Sequence, residues 1–124
     1  MQIISIGVGG FFGAISRFLV SGWIHHLAGV EMPYGTLVVN VAGSFILAFL
    51  LHFFLSTPNL PVAFKGALTT GFLGAFTTFS TFTVDTLYLF EHGSWSKAVL
   101  NILLNVLICL VAASVGLALA KMFN

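Results

Sequence analysis

Apolar residues dominate four stretches of this chain, and polar or helix-breaking residues collect in three short gaps between them. The first stretch runs from about Ile3 to Ile24, the second from about Thr36 to Leu55, the third from about Ala63 to Phe90, and the fourth from about Ala98 to Met122. Each reaches the roughly 20 residues that an α-helix needs to cross a bilayer. The gaps (His25 to Gly35, Ser56 to Pro61, Glu91 to Lys97) hold Pro33, Pro58 and Pro61 together with Glu31, Asn59 and Glu91. This is the punctuation expected between helices. The pattern predicts an all-α membrane protein of four transmembrane helices, with residues 1–124 forming a single four-span domain. No internal repeat or low-complexity tail interrupts it.

The third stretch differs from the others. From Gly71 to Thr83 it mixes Gly71 and Gly74 with Thr77, Thr78, Ser80, Thr81 and Thr83, and sets Phe76, Phe79 and Phe82 at near-regular spacing. It is longer than a straight span requires. Two readings fit. The helix is broken near its centre and exposes free carbonyl and amide groups, which coordinate ions at membrane depth. Alternatively, it is tilted and flexed, with its hydroxyls bonded back to the preceding turn. Phe79 and Phe82 are three apart and share a helical face. An aromatic ring is positive at its edge, so ring edges can meet an anion. Interleaved with hydroxyl donors and no fixed cation, they would attract a small anion without trapping it. Ordinary packing is the alternative for any one of the fourteen phenylalanines.

Composition agrees with the bilayer as solvent. Hydrophobic residues make up 59% of the 124 and charged residues 6%, against about 25% charged in soluble domains; mean hydropathy is +1.12. The net charge of +1 comes without any basic run, so nucleic acid is not an expected partner. Cys109, the single cysteine, has no internal disulfide partner. Met1 and Gln2 carry no positive charge and Arg17 interrupts the first stretch, so a cleaved signal peptide is not expected. With four spans, Lys65 and Lys121 fall on one side of the membrane and Arg17 and Lys97 on the other. The positive-inside rule then sets no orientation, and two copies could pair antiparallel. Four helices leave little room for a water-lined hole within one subunit. Gly9, Gly10, Gly13 and Ala14 on the first helix, and Gly35, Gly43 and Ser44 on the second, offer small-residue faces for close approach, within a subunit or between subunits.

Few residues could carry chemistry. Arg17, the only arginine, either faces protein and a vestibule or snorkels to the interface. Asn40 is a neutral amide in an apolar helix, able to donate two hydrogen bonds to an anion or one to a neighbouring helix. Asn101 and Asn105 lie four apart on one face, as a polar track or as a clasp between helices. Asp85 is the one carboxylate within a span, either a mouth residue or an interfacial cap. No catalytic constellation, phosphate-cradling loop or metal-ligand spacing occurs, and an enzyme is not expected.

Taken together, Gly9 to Phe18, Gly35 to Phe45 and Gly71 to Phe82 resemble the signature blocks of the Fluc fluoride channels, also called CrcB proteins. The match spans three of four helices in order, and the Thr-Thr-Phe-Ser-Thr-Phe run is its most specific part. The resemblance implies an antiparallel, dual-topology homodimer in the bacterial plasma (inner) membrane, with two pores that export toxic fluoride passively. It implies that Phe79, Phe82 and Asn40 line the pore, with Ser80, Thr81 and Thr83 in a hydroxyl-lined region. It also implies that the backbone carbonyls of Gly74 and Thr77 hold a structural sodium ion on the dimer axis. Arg17 matches the family's first-helix arginine. The family has glutamate where this chain has Asp85, and hydroxyls where it has Asn101, Asn105 and Cys109. The rival expectation is a small proton-coupled multidrug exporter, also four spans with dual topology, but the first helix lacks the embedded carboxylate that such a carrier needs.

Overall fold

Long apolar runs dictate most of the architecture, because a helix alone satisfies its own backbone in a medium without water. In the computed structural model, which describes residues 1–123, the chain is all-helical, with its helices in four long stretches, and no strand occurs among the described residues. Helix α1 covers Gln2–Ala28 and α2 Tyr34–Phe53. The third span begins as α3 (Val62–Gly66), continues as a π-helical segment (Ala67–Leu73), and closes with one turn, α4 (Gly74–Phe76). After Thr77 and Thr78 the chain becomes helical again as α5 (Phe79–Glu91). The fourth span is α6 (Trp95–Leu103), a second π-helical segment (Leu104–Ile108) and α7 (Cys109–Lys121). Gln2–Ala28, Tyr34–Phe53 and the continuous Trp95–Lys121 are each long and apolar enough to cross a membrane.

The boundaries shift by a few residues from the hydropathy pattern. His25 and His26 lie in the last turn of α1, which ends at Gly29 with φ +80°. Glu91 is the last residue of α5, and Trp95 to Lys97 open α6. The turn between them is a Schellman cap. Gly93 (φ +74°) donates to the Phe90 carbonyl and Ser94 to the Leu89 carbonyl, so the last orphan carbonyls of α5 are met. Pro33 and Pro61 stand directly before α2 and α3, where a missing N–H costs nothing. Lys65 donates to the Phe54 carbonyl at 3.0 Å and tethers the start of the third span to the end of the second.

Helices approach closely where glycine removes the side chain. A Cβ on Gly9 would overlap the Ala67 carbonyl, and one on Gly13 the Phe72 carbonyl. The small-residue face of α1 is thus spent within the subunit, against the π-helical segment of the third span. On α2, Gly43 makes room for the Thr77 methyl. The core is narrow, with Val39, Leu73, Ala98 and Ala120 its most buried apolar members, while Phe18, Leu110 and Val111 lie exposed on the outside, as lipid-facing side chains should. In order across the bundle, α7 packs on α2, α2 on α1, and α1 on α3, the first π-helical segment and α4. Helix α5 packs instead mainly on α6. The third span therefore changes partner across Thr77 and Thr78.

Candidate functional site

Thr77 and Thr78 are extended, with φ/ψ of −84°/159° and −154°/120°. Such backbone frees polar groups from the helical ladder, and at membrane depth they need partners from elsewhere. Asn40 on α2 supplies them. Its Oδ1 accepts from the Thr78 N–H at 2.8 Å, and its Nδ2 donates to the Thr78 carbonyl at 3.0 Å. One side-chain amide thus pairs with both backbone groups of a single residue, as a neighbouring strand would. Arg17 on α1 donates from Nη1 to the Thr77 carbonyl at 3.3 Å. The Thr78 hydroxyl caps α5 by accepting from the Thr81 N–H at 3.2 Å, and itself donates to Thr81 Oγ1 at 3.0 Å. The first N–H groups of α5, from Phe79 and Ser80, have no carbonyl one turn behind them, and the positive end of the helix dipole lies there.

From Asn40 an amide ladder runs inward. Asn40 Nδ2 also donates to Asn105 Oδ1 at 3.0 Å. Asn105 Nδ2 donates at 3.1 Å to both the carbonyl and the Oδ1 of Asn101. Asn101 Nδ2 donates to the Thr86 hydroxyl at 2.9 Å, and that hydroxyl donates to the Phe82 carbonyl at 2.8 Å. The ladder closes on α5 at both ends and clasps α2, α5 and the fourth span around one polar line.

Beside this line is a groove of about 250 Å3, lined among others by Asn40, Phe79, Phe82, Asn105 and Cys109. The rings of Phe79 and Phe82 meet edge to face, with centroids 5.4 Å apart. Phe82 is 8% exposed and held in the protein, whereas Phe79 is 78% exposed. The structure thus gathers Asn40, Asn105, Phe79 and Phe82 in one place, with Asn101 buried one step beneath them. The other polar residues named from the sequence go elsewhere. Thr81, Arg17 and Asp85 line a second cavity of about 370 Å3 together with Thr36, Thr78 and His25. Asp85 accepts from the Thr36 hydroxyl at 2.8 Å. Thr83 is exposed and bonds back to the Phe79 carbonyl at 3.0 Å. Ser80 is exposed, and neither it nor Thr83 lines the groove. Gly74 is exposed at the start of the last turn before the extended residues. The Thr78 N–H that would bond its carbonyl in a continuous helix goes to Asn40 instead.

Thr36 and Thr86 are participants that the sequence did not single out: Thr36 holds the Asp85 carboxylate and Thr86 takes the far end of the amide ladder. The sequence marks the Thr77 and Thr78 pair as a place where the third span could break, but nothing in the sequence alone joins its backbone to the Asn40 amide on another helix.

The groove thus joins side-chain amides to aromatic ring edges, with no charged side chain in its lining. Residues 4–117 match the family model described as CrcB-like protein, Camphor Resistance (CrcB). The chain belongs to the CrcB family. It is 47% identical over 121 residues to a protein of Syntrophotalea carbinolica named fluoride-specific ion channel FluC, a match that covers 98% of each chain. Proteins of the same name from Nitratiruptor sp. (48% over 119 residues, covering 96% of this chain and 91% of the other) and Methanocaldococcus jannaschii (50% over 119 residues, 96% and 94%) are similar over the same length. These CrcB relatives are named as channels and not as enzymes. With several apolar spans in a family of this kind, the chain is a multi-pass membrane protein.

Proposed function

We propose that this CrcB protein is a passive, fluoride-selective channel that works as an antiparallel, dual-topology homodimer with two pores. One observation carries the reading: the edge-to-face pair Phe79 and Phe82 borders the same groove as the paired amides of Asn40 and Asn105. The likeness to proteins named for fluoride conduction supports the choice of ion. The groove opens sideways and Phe79 is bare. A polar lining facing hydrocarbon is unfavourable, so a second copy of the chain is the cover that fits. The even split of Lys and Arg between the two sides suits insertion in both directions, and the bacterial inner membrane is where export would relieve fluoride toxicity.

Conduction on this reading needs no moving gate. An ion entering the groove exchanges water for the positive edges of the two rings and for N–H groups at the start of α5. Both hydrogens of Asn40 Nδ2 are already engaged, with Thr78 O and Asn105 Oδ1. An amide hydrogen therefore leaves an internal acceptor to meet the ion and returns when the ion moves on. Each donor is exchangeable and none carries full charge, so binding stays weak enough for release.

The Gly74 and Thr77 carbonyls fit a structural sodium ion. The Gly74 carbonyl has lost its helical donor to Asn40, Thr77 is extended, and Arg17 takes one position on the Thr77 oxygen at 3.3 Å. Neutral oxygen donors without a carboxylate suit a hard monovalent cation. Bound there, sodium would tie the two broken third helices together across the dimer axis.

Purified protein in liposomes tests the function. Fluoride efflux that builds a membrane potential and needs no proton gradient is the expected result. Exchange of protons for a cationic drug would support the exporter instead, and silence would mark a non-conducting subunit. Cysteine crosslinks formed only between oppositely inserted copies test the antiparallel pairing.

A further inference from the structure

The hydrogen bonds of the amide ladder all run one way. Asn40 donates to Asn105, Asn105 to Asn101, Asn101 to Thr86, and Thr86 to the Phe82 carbonyl. A carboxamide carries an oxygen on one side and an NH2 on the other, so each amide taken alone can be turned over. The groups at the two ends cannot. The Phe82 carbonyl only accepts, and the Thr78 N–H, which meets Asn40 Oδ1 at 2.8 Å, only donates. Between these fixed groups, a single orientation of every amide leaves no donor facing a donor.

Thr86 is the link on which that direction turns. Its hydroxyl has one hydrogen to give and accepts on the same oxygen. The hydrogen goes to Phe82, so the oxygen is left to accept from Asn101 Nδ2 at 2.9 Å, and Asn101 Oδ1 faces Asn105. The Asn101 carbonyl also accepts from Asn105 Nδ2 at 3.1 Å. Asn105 is therefore held at two points, and Thr86 governs one of them. Thr86, Asn101 and Asn105 are all buried, where a lost partner is costly. Thr86 does not line the groove beside Phe79 and Phe82. A hydroxyl bonded to the carbonyl one turn back is ordinary helix chemistry, and Ser114 does the same to Leu110 on the exposed side of α7. Thr86 stands apart because it takes a second bond, from an amide on another helix.

We propose that Thr86 is a positioning residue for conduction, acting through Asn101 to keep the Asn105 oxygen turned toward the Asn40 amide. What it secures is release. On the channel reading above, on which this rests, an anion borrows a hydrogen of Asn40 Nδ2 that has Asn105 Oδ1 to return to. With Asn105 turned over, its NH2 meets the NH2 of Asn40. Two donors without an acceptor then face the groove, and an anion between them is held rather than passed on. Loss of the Thr86 hydroxyl lets Asn105 sample that orientation.

The test is fluoride current through the full-length protein in planar bilayers, measured against fluoride concentration at constant ionic strength. Thr86→Val keeps the branched shape and removes the hydroxyl. Maximal current should fall about fivefold, and the fluoride concentration at half-maximal current should fall by a similar factor, the effect of one neutral hydrogen bond. Thr86→Ser should behave as the wild type. Thr86→Cys, whose thiol is a weak donor and acceptor, should lie between, and it carries the test if Thr86→Val fails to assemble. Ser114→Ala, which also loses a bond to its own helix, should change neither quantity. In protein isotope-labelled at asparagine, the Asn105 NH2 hydrogens should exchange with deuterium faster in Thr86→Val than in the wild type or Thr86→Ser. A structural role alone would lower the current without tightening fluoride. Current unchanged in Thr86→Val, current lowered with the half-maximal concentration unmoved or raised, or Asn105 exchange unchanged overturns the proposal and leaves the channel reading intact. No fluoride current from the wild type overturns both.

Discussion

Phe82 and Asn40 do different work, and single substitutions separate them. Replacing Phe82 by isoleucine keeps an apolar side chain at a buried position but removes the ring edge. The dimer should stay assembled while fluoride efflux falls at least about tenfold, a loss of about 1.4 kcal/mol of barrier stabilisation; unchanged efflux would reduce the ring to packing. Asn40→Leu fails in another way. It strands the Thr78 N–H and carbonyl, each at about 1–3 kcal/mol when buried without a partner. The expected result is a lower thermal midpoint in detergent, along with lost current. Asn40 was legible in the sequence as an amide out of place in an apolar helix. Its partner was not, because Thr78 lies 38 residues away and only folding brings the two together. For Thr83 the reading of a hydroxyl bonded back to the preceding turn describes its contact with the Phe79 carbonyl, whereas local spacing gives no hint that Thr81 lines the cavity beside Arg17.

Hydropathy alone found the four helical stretches, since length and apolar content are summed over many residues and tolerate local error. Features of one turn escaped it. Nothing in Leu104–Ile108 marks it as π-helical, and the glycines of the third span do not hold the extended backbone, which falls on Thr77 and Thr78. Gly71 instead brings the π-helical segment against the backbone of α1 at Ile6. This contact between elements is testable at Gly13. Gly13→Leu forces a branched side chain into the Phe72 carbonyl, so α1 must move off the third span. A loss of more than about 3 kcal/mol is expected, in the range that overpacking reaches only at its extreme. It should appear as aggregation or poor yield on size-exclusion chromatography, whereas Gly7→Ala, where nothing lies within 4 Å, should be silent.

For the whole molecule, the proposed dimer and its sodium ion make a joint prediction. Exchanging sodium for a bulky organic cation should lower both the thermal midpoint and the current, and crosslinking the two copies should restore the first more than the second. A midpoint indifferent to the cation would remove sodium from the structure of the channel. A last consequence follows from the wide turn at Ala67–Leu73. A π-helical turn holds one residue more than the α-helix around it, so this stretch is slack in an otherwise taut rod. Losing one residue there lets the turn tighten to α while everything downstream keeps its bearing. Losing one at the start of α5 swings the remainder by about 100°, carrying Asp85 away from the Thr36 hydroxyl and Thr86 away from Asn101. The protein can therefore tolerate a change in length before the threonine pair far more readily than after it.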